Sequence, residues 1–487
     1  MNIKSLFGKI EKLKYKKEII IITLFILGLV FRLYKIDSPI ADWHSFRQAD
    51  TSSVSRMYLE GNLWDLLNPK YHDISRIQSG LFNPEGFRFV EFPIYNFFQA
   101  LFTKYIGLFS LEIWGRLVSI ISALLSSYIL YLLGKRFISE AGGIVASAFF
   151  LLDPYNIYFT RVILPEPMAV LFALLSLYAF VKFIDKDKVK FIYTSGLLFA
   201  ISILIKPYTI FFAVPMFFIA LNKYSLKELF SKKQFLITYI LALLPLVLWR
   251  FWIMKHPEGI PFWKWTLNGD GIRFKPAFWY WVFGERLTKL ILGFWGIIPF
   301  AYGIIAYEKK SKLIHSFLFG MFLFVATFAT ANVRHDYYQS ITIPAISLMF
   351  AWGFLKYWNL KDMNKILLRG VLTFSVFMVF VSGAFQVKEY YKINHPEIIE
   401  AGKAVDRLTP KNSLVIAQYF GDTAFLYQTK RRGWPNVELP IDELIEEGAE
   451  YYASVDLSSS QTKEFMQKFI TLEKTDSYVV LDLNEKL

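Results

Sequence analysis

Apolar positions in this chain come in long uninterrupted runs separated by short polar segments. They show neither the alternation of half-buried strands nor the one-sided stripe of surface helices. The first run spans about 18–34, and ten more lie near 112–134, 141–160, 166–184, 190–205, 207–222, 235–254, 287–306, 313–331, 337–355 and 366–386. A bilayer core about 30 Å thick needs roughly 20 apolar residues per crossing helix. The pattern therefore predicts a polytopic α-helical membrane protein with about 11 transmembrane helices. Lys206 and Pro207 split one long apolar stretch, which reads as a turn at a membrane face. Two connecting loops are long, 35–111 and 255–286, and loops of that length usually carry structure or function. In the first, Thr51–Glu60 reads as a short helix stopped by Gly61, and Pro93–Tyr105 as a helix lying in the interface. The second is rich in Trp (Trp263, Trp265, Trp279, Trp281), which suits a membrane boundary.

Beyond residue 386 the period changes. Ser413–Gln418, Tyr451–Asp456 and Tyr478–Leu483 read as strands; Glu397–Leu408, Asp442–Glu450 and Gln461–Ile470 read as helices. We therefore divide the chain into a membrane part, 1–386, and a C-terminal soluble α/β domain, 387–487.

Composition agrees. The 487 residues are 55% hydrophobic, 18% aromatic and 19% charged, with a mean hydropathy of +0.37. That excludes a disordered chain and argues against a purely soluble enzyme. The net charge of +14 is unevenly spread. From His395 onward, 16 acids face 10 bases (−6), which leaves +20 for the rest. A basic membrane part with an acidic tail points to asymmetric insertion and not to nucleic acid. The alternate inter-span segments are basic: Lys135 and Arg136; Lys182, Lys186, Lys188 and Lys190; Lys223, Lys227, Lys232 and Lys233; Lys309, Lys310 and Lys312; Lys356, Lys361, Lys365 and Arg369. The first run follows Lys4, Lys9, Lys12, Lys14, Lys16 and Lys17, with no small-residue cleavage pattern after it. It reads as a retained anchor. The expectation is a multi-pass plasma-membrane protein, N-terminus cytoplasmic and C-terminal domain outside. Cysteine is absent, which removes thiolate chemistry.

Candidate chemistry gathers in the outer turns, where ionisable residues beside a span suggest function. His44, Arg47, Gln48 and Asp50 crowd the first loop. Asp50, just before the expected Thr51–Glu60 helix, reads as an N-cap, as a general base for an attacking hydroxyl, or as both. Arg47 either binds phosphate or pairs with Asp50, and His44 taken alone reads as a hydrogen-bonded structural residue. Glu91 opens the second loop helix as a cap or a ligand. Arg161 and Glu166 share a turn, in which they pair and Glu166 caps its helix, or Arg161 binds phosphate and Glu166 orients a catalytic group. Lys206 is a snorkelling lysine or an anion ligand. Arg334, His335, Asp336, Tyr337 and Tyr338 form the last outer turn, an anionic-headgroup site or an aromatic belt, and Arg116 reads as snorkelling outward. No GxxxxGK[ST], GxGxxG strand–helix unit or HExxH occurs, so ATP hydrolysis, nicotinamide chemistry and zinc proteolysis lack support. The scattered His72, His256, Glu258 and His335 define no metal site. Outside the cytoplasm a membrane enzyme needs a donor carried by lipid. A polyprenyl-phosphate sugar supplies an anion for the cations and a tail for the spans. A flippase for such a lipid needs similar groups, but with broken helices or mid-membrane charges. A polymerase or ligase using a diphosphate donor is a third reading.

HSFRQADTSSVSRMYLEG (44–61) followed by EFPIYNFF (91–98), then RVILPEP (161–167), IKP (205–207), RHDYY (334–338) and FLYQTKRRGWP (425–435), resemble in order and position the bacterial branch of the protein O-mannosyltransferase and aminoarabinose-transferase superfamily. These are membrane glycosyltransferases of the C-type fold. The resemblance implies transfer of a sugar, with inversion, from a polyprenyl-phosphate donor to an acceptor hydroxyl of a protein, lipid or polysaccharide. It makes Asp50 the catalytic base or acceptor-orienting carboxylate of the first loop, and Glu166 matches the acid that follows the third span. It assigns Arg161, Lys206 and Arg334 to the departing phosphate, with His335 donating to it. His44, Arg47, Gln48, Glu91 and Tyr337 fall in the same substrate-binding set. Relatives with two adjacent first-loop acids differ from this chain, which has Asp50-Thr51. No cofactor is implied, and a divalent cation is left open.

Overall fold

The computed structural model describes residues 16–361 and 364–487. The lysine-rich start before residue 16, part of the expected anchor signal, lies outside them.

The expected runs form helices, but not eleven continuous ones. Leu111–Phe137, Glu166–Lys186, Lys233–Ile253 and Lys365–Tyr391 are long and apolar enough to cross a membrane, and Glu140–Leu152, Val189–Ile205 and Pro207–Ala220 are shorter apolar segments. The first run is helical over Lys16–Leu33. Breaks have local causes. Asp153 ends one helix and caps the next, Pro154–Phe159, accepting from the Asn156 amide at 3.1 Å. Lys206-Pro207 ends Val189–Ile205 and starts a 3₁₀ turn, since proline cannot continue the ladder. The 287–306 run divides into a π-helical Tyr280–Ile291 and the helix Ile297–Ile305.

Small and hydroxylated side chains let these helices meet closely. Ser127 and Ser147 hydrogen-bond across one pair at 2.6 Å, and Ser176 and Ser195 across another at 3.0 Å. A Cβ on Gly353 would sit 1.8 Å from the Pro299 carbonyl oxygen, so Ile343–Trp358 approaches Ile297–Ile305 backbone to backbone. The main core fills the helical bundle, with Phe149, Leu174, Phe317 and Trp352 among its members.

The C-terminal region is a five-stranded sheet: β1 Leu414–Gln418, β2 Arg432–Trp434, β3 Ala449–Ser454, β4 Phe469–Lys474 and β5 Val479–Lys486, in order β2-β1-β3-β5-β4. β1 runs parallel to β2 and β3, while β5 is antiparallel to β3 and β4. The helix Glu397–Leu408 forms over the expected residues. The expected Asp442–Glu450 helix stops at Glu446, because Ala449 and Glu450 belong to β3. β2 and β4 were not expected. The helix Thr423–Thr429, also unexpected, packs into one apolar cluster that joins Ile398, Val405 and Phe425 to Ile40, Tyr95 and Met168. The first loop also joins the sheet edge: the Ile74 amide donates to the Gly433 carbonyl, and the Gly433 amide to that of His72, both at 2.9 Å. Gly433 has φ +150°, and a Cβ there would meet Val415 O at 1.9 Å.

Candidate active site

The first-loop helix begins earlier than its polarity suggests, spanning Ser45–Glu60 with His44 at its N-cap (φ 55°). Asp50 is therefore inside the helix, and the N-cap reading is corrected. Its carboxylate is buried, 3% exposed. Oδ2 accepts from Arg88 Nη2 at 2.6 Å, and Oδ1 accepts from the Thr423 hydroxyl at 2.6 Å. Thr423 begins the Thr423–Thr429 helix of the C-terminal region. Beside Asp50 a cavity of about 10 Å³, room for roughly one water, is lined by Arg47, Thr51, Arg88, Glu91 and Asn96.

Next to this pair runs a ladder of buried ions. Arg47 donates to Glu91, not to Asp50. Lys206 Nζ lies 2.8 Å from Glu91 and 2.7 Å from Glu166. Lys206 is 4% exposed, so it does not snorkel. Glu91 precedes the helix Ile94–Tyr105 without capping it. Burial pushes the Glu91 carboxyl up, but Arg47 and Lys206 outweigh it and hold it well below the usual carboxylate range. Glu166 begins the helix Glu166–Lys186, where a carboxylate suits the dipole. It pairs with Lys206 and not with Arg161, so the expected Arg161–Glu166 pair is corrected.

Arg161 and Gln48 belong to a separate cluster. Gln48 donates to Asp42 at 2.7 Å, and Arg161 Nη1 is 3.6 Å from the same carboxylate. Arg161 also donates to the Lys35 carbonyl at 2.5 Å. Arg116 is fully buried, donating to Ile36 O at 2.6 Å, so it does not reach outward either. Burial raises the Asp42 pKa, with Arg161 and Arg116 opposing.

A third cluster centres on Asp336. It accepts from His44 Nε2 at 2.6 Å, Tyr390 at 2.7 Å and the Trp43 indole at 3.1 Å, with Arg286 at 3.9 Å. Burial raises the Asp336 pKa, but His44 and Arg286 outweigh it and bring it below the usual range. The His44 ring meets those of His335 and Tyr337 at 5.8 and 5.1 Å. Burial, with His44 adding, lowers His335 to about 4. Arg334 pairs with none of these carboxylates; its side chain is 57% exposed, 3.7 Å from Asp270 and over the Trp265 ring. Among the described residues no group of three or more His, Asp or Glu is placed to hold a metal ion.

Comparison with known proteins gives three results. Residues 91–252 match the family described as dolichyl-phosphate-mannose-protein mannosyltransferase. No curated protein matches the chain. Among solved structures, ArnT from Cupriavidus metallidurans bound to undecaprenyl phosphate aligns with TM-score 0.67 and 13% identity, over 95% of this chain and 97% of that one. The Archaeoglobus fulgidus oligosaccharyltransferase in its apo form aligns with TM-score 0.56 and 10% identity, over 94% and 73%. The same enzyme complexed with Zn and sulfate aligns with TM-score 0.53 and 9% identity, over 89% and 67%. The fold is that of the C-type membrane glycosyltransferases. Within the C-type fold, this chain brings Asp50, Arg47, Glu91, Lys206 and Glu166 together. It sets His44, His335 and Tyr337 around Asp336, and separates Gln48, Arg161 and Arg334 from both. Arg88 and Thr423, which hold Asp50, escaped the sequence reading. Arg88 sits among apolar residues in Phe87–Pro93, and only a contact 38 positions away gives it meaning.

Proposed function

We propose that this membrane protein transfers a sugar from a polyprenyl-phosphate donor to an acceptor hydroxyl, with Asp50 as general base. The observation that carries this reading is the 2.6 Å hydrogen bond from the Thr423 hydroxyl to Asp50 Oδ1. A buried carboxylate already oriented on a hydroxyl, beside a row of cations, is what base-assisted attack requires. The acceptor hydroxyl takes the place of Thr423. Its oxygen bonds the anomeric carbon, the carbon–oxygen bond to phosphate breaks, and the phosphate leaves with that electron pair. The hydroxyl proton passes to Asp50, and attack opposite the leaving group inverts the carbon.

Arg88 uses Nη2 on Asp50, while its buried Nε and Nη1 have no hydrogen-bond partner among the described residues. These donors, with Arg47 and Lys206 of the ladder, offset charge growing on the phosphate. Glu166 holds Lys206 in place. The undecaprenyl phosphate bound to ArnT supports this donor class. The basic flanks of the opposite helix ends support placing Asp50 and the C-terminal sheet outside the cytoplasm.

The test is transfer from a labelled panel of polyprenyl-phosphate sugars in membranes containing the wild type or Asp50→Asn. Transfer from one donor, lost in the variant while donor binding persists, supports the proposal and names the sugar. Full activity in Asp50→Asn removes the base. Wild-type movement of lipid-linked sugar across the bilayer without transfer makes the protein a flippase.

A further inference from the structure

At the membrane face opposite Asp50, a second cavity of about 310 Å³ opens between helix ends. Leu111–Phe137 spans 27 residues, about 40 Å at 1.5 Å per residue, and this cavity is at its far end. Arg136, Lys309, Lys310 and Lys312 line it, and no acid does. Its floor is apolar, with Phe137, Ile219 and Leu313.

The local charge is unbalanced. Arg136 pairs with Asp185 at 2.8 Å, and Lys310 with Glu308 at 3.5 Å. Glu308 also holds Lys356. Lys312 meets only an amide oxygen, Asn222 Oδ1 at 2.8 Å, and Lys309 has no ion pair among the described residues. The three lysines also stand at the start of the helix Lys312–Thr327, where the dipole disfavours cations and favours an anion. Insertion bias explains lysines at this face, but it does not explain their convergence with Arg136 on a concave, apolar-floored space. Lys186, Lys188 and Lys190 are also exposed lysines and do not line this cavity.

We propose that this cavity binds the phosphodiester headgroup of an anionic membrane lipid. The four cations receive the phosphate, and the first acyl carbons lie on the Phe137, Ile219 and Leu313 floor. Basic pockets between spanning helices are a known form of headgroup recognition. The site is independent of the transfer reaction proposed above.

The test is native mass spectrometry of the full chain in neutral detergent, titrated with phosphatidylglycerol, phosphatidylcholine or inorganic phosphate. Phosphatidylglycerol is expected to bind at least tenfold more tightly than either alternative. The triple variant Lys309→Ala, Lys310→Ala, Lys312→Ala should lose at least tenfold of that affinity. The charge-keeping triple Lys309→Arg, Lys310→Arg, Lys312→Arg should retain it, which separates loss of charge from misfolding. The control triple Lys186→Ala, Lys188→Ala, Lys190→Ala should stay within twofold of wild type. Three results would overturn the proposal: equal losses in the two alanine triples, unchanged binding in the first, or phosphate binding as tightly as the lipid.

Discussion

Asp50 and Asp336 are both buried carboxylates, yet their partners differ in kind. Asp336 is clamped by Trp43, His44 and Tyr390, with Arg286 beyond. Its partners converge from several segments and leave it no free role. Asp50 is held by one cation and one hydroxyl, and the hydroxyl comes from a helix 373 positions away. A cation ladder runs beside it. Burial alone therefore does not distinguish a catalytic acid from a structural one. What sets Asp50 apart is a hydroxyl partner from a distant helix beside a row of cations, the two features the proposed reaction uses.

The ladder is where this contrast breaks most severely. Lys206→Met leaves Glu91 and Glu166 facing each other without their shared cation, and breaking such a buried pair costs about 3–5 kcal/mol. Thermal unfolding in detergent should show that loss, partly restored by adding Glu166→Gln. A loss below about 1 kcal/mol would mean the ladder does not hold charged carboxylates.

A second variant asks how the C-terminal region holds Asp50. Burial, with the charge of Asp50 adding, raises the neighbouring Asp422 to about 6. The unfolded chain ionises this group near 3.8, so it releases its proton first as pH rises. Folding therefore becomes less favourable from about pH 4 to 6, by up to about 3 kcal/mol. Asp422→Asn keeps an oxygen for the Ala424 amide and should remove that loss. Parallel pH–stability curves for wild type and variant would show that Asp422 is not held neutral.

Thr423→Val sharpens the contrast directly. Losing a hydrogen bond to a charged group should cost about 1.5–3 kcal/mol. If Thr423 occupies the acceptor's place, the acceptor KM falls in the variant. A raised KM would show that Thr423 positions the acceptor instead. The smallest effect is expected at Arg334, exposed and apart from both carboxylates. Arg334→Ala should change stability by less than about 0.5 kcal/mol and transfer by less than twofold; a large loss of transfer would place the donor phosphate on that rim.

Periodicity carried the coarse architecture. Runs of apolar residues read as helices, and the changed period after residue 386 read as a sheet with helices. The charged turns on one face were equally visible. Pairing across them was not, because it depends on which helix ends meet. Arg161 with Glu166 and Arg47 with Asp50 were plausible by spacing, yet Asp42, Glu91 and Arg88 compete for them in three dimensions. The early start at Ser45 was hidden because it needs His44 in a left-handed conformation, which is uncommon for any residue but glycine. β2 has three residues, too few for alternation to show. Thr423 read only as the residue after a turn.

The most direct measurement compares Asp50→Asn with Asp336→Asn in single-turnover sugar transfer at matched donor occupancy, scaled to folded protein. Asp50→Asn should lose at least a hundredfold, as expected on removing a general base, and Asp336→Asn less than tenfold. The reverse order would make Asp336 the reactive acid and Asp50 the structural one.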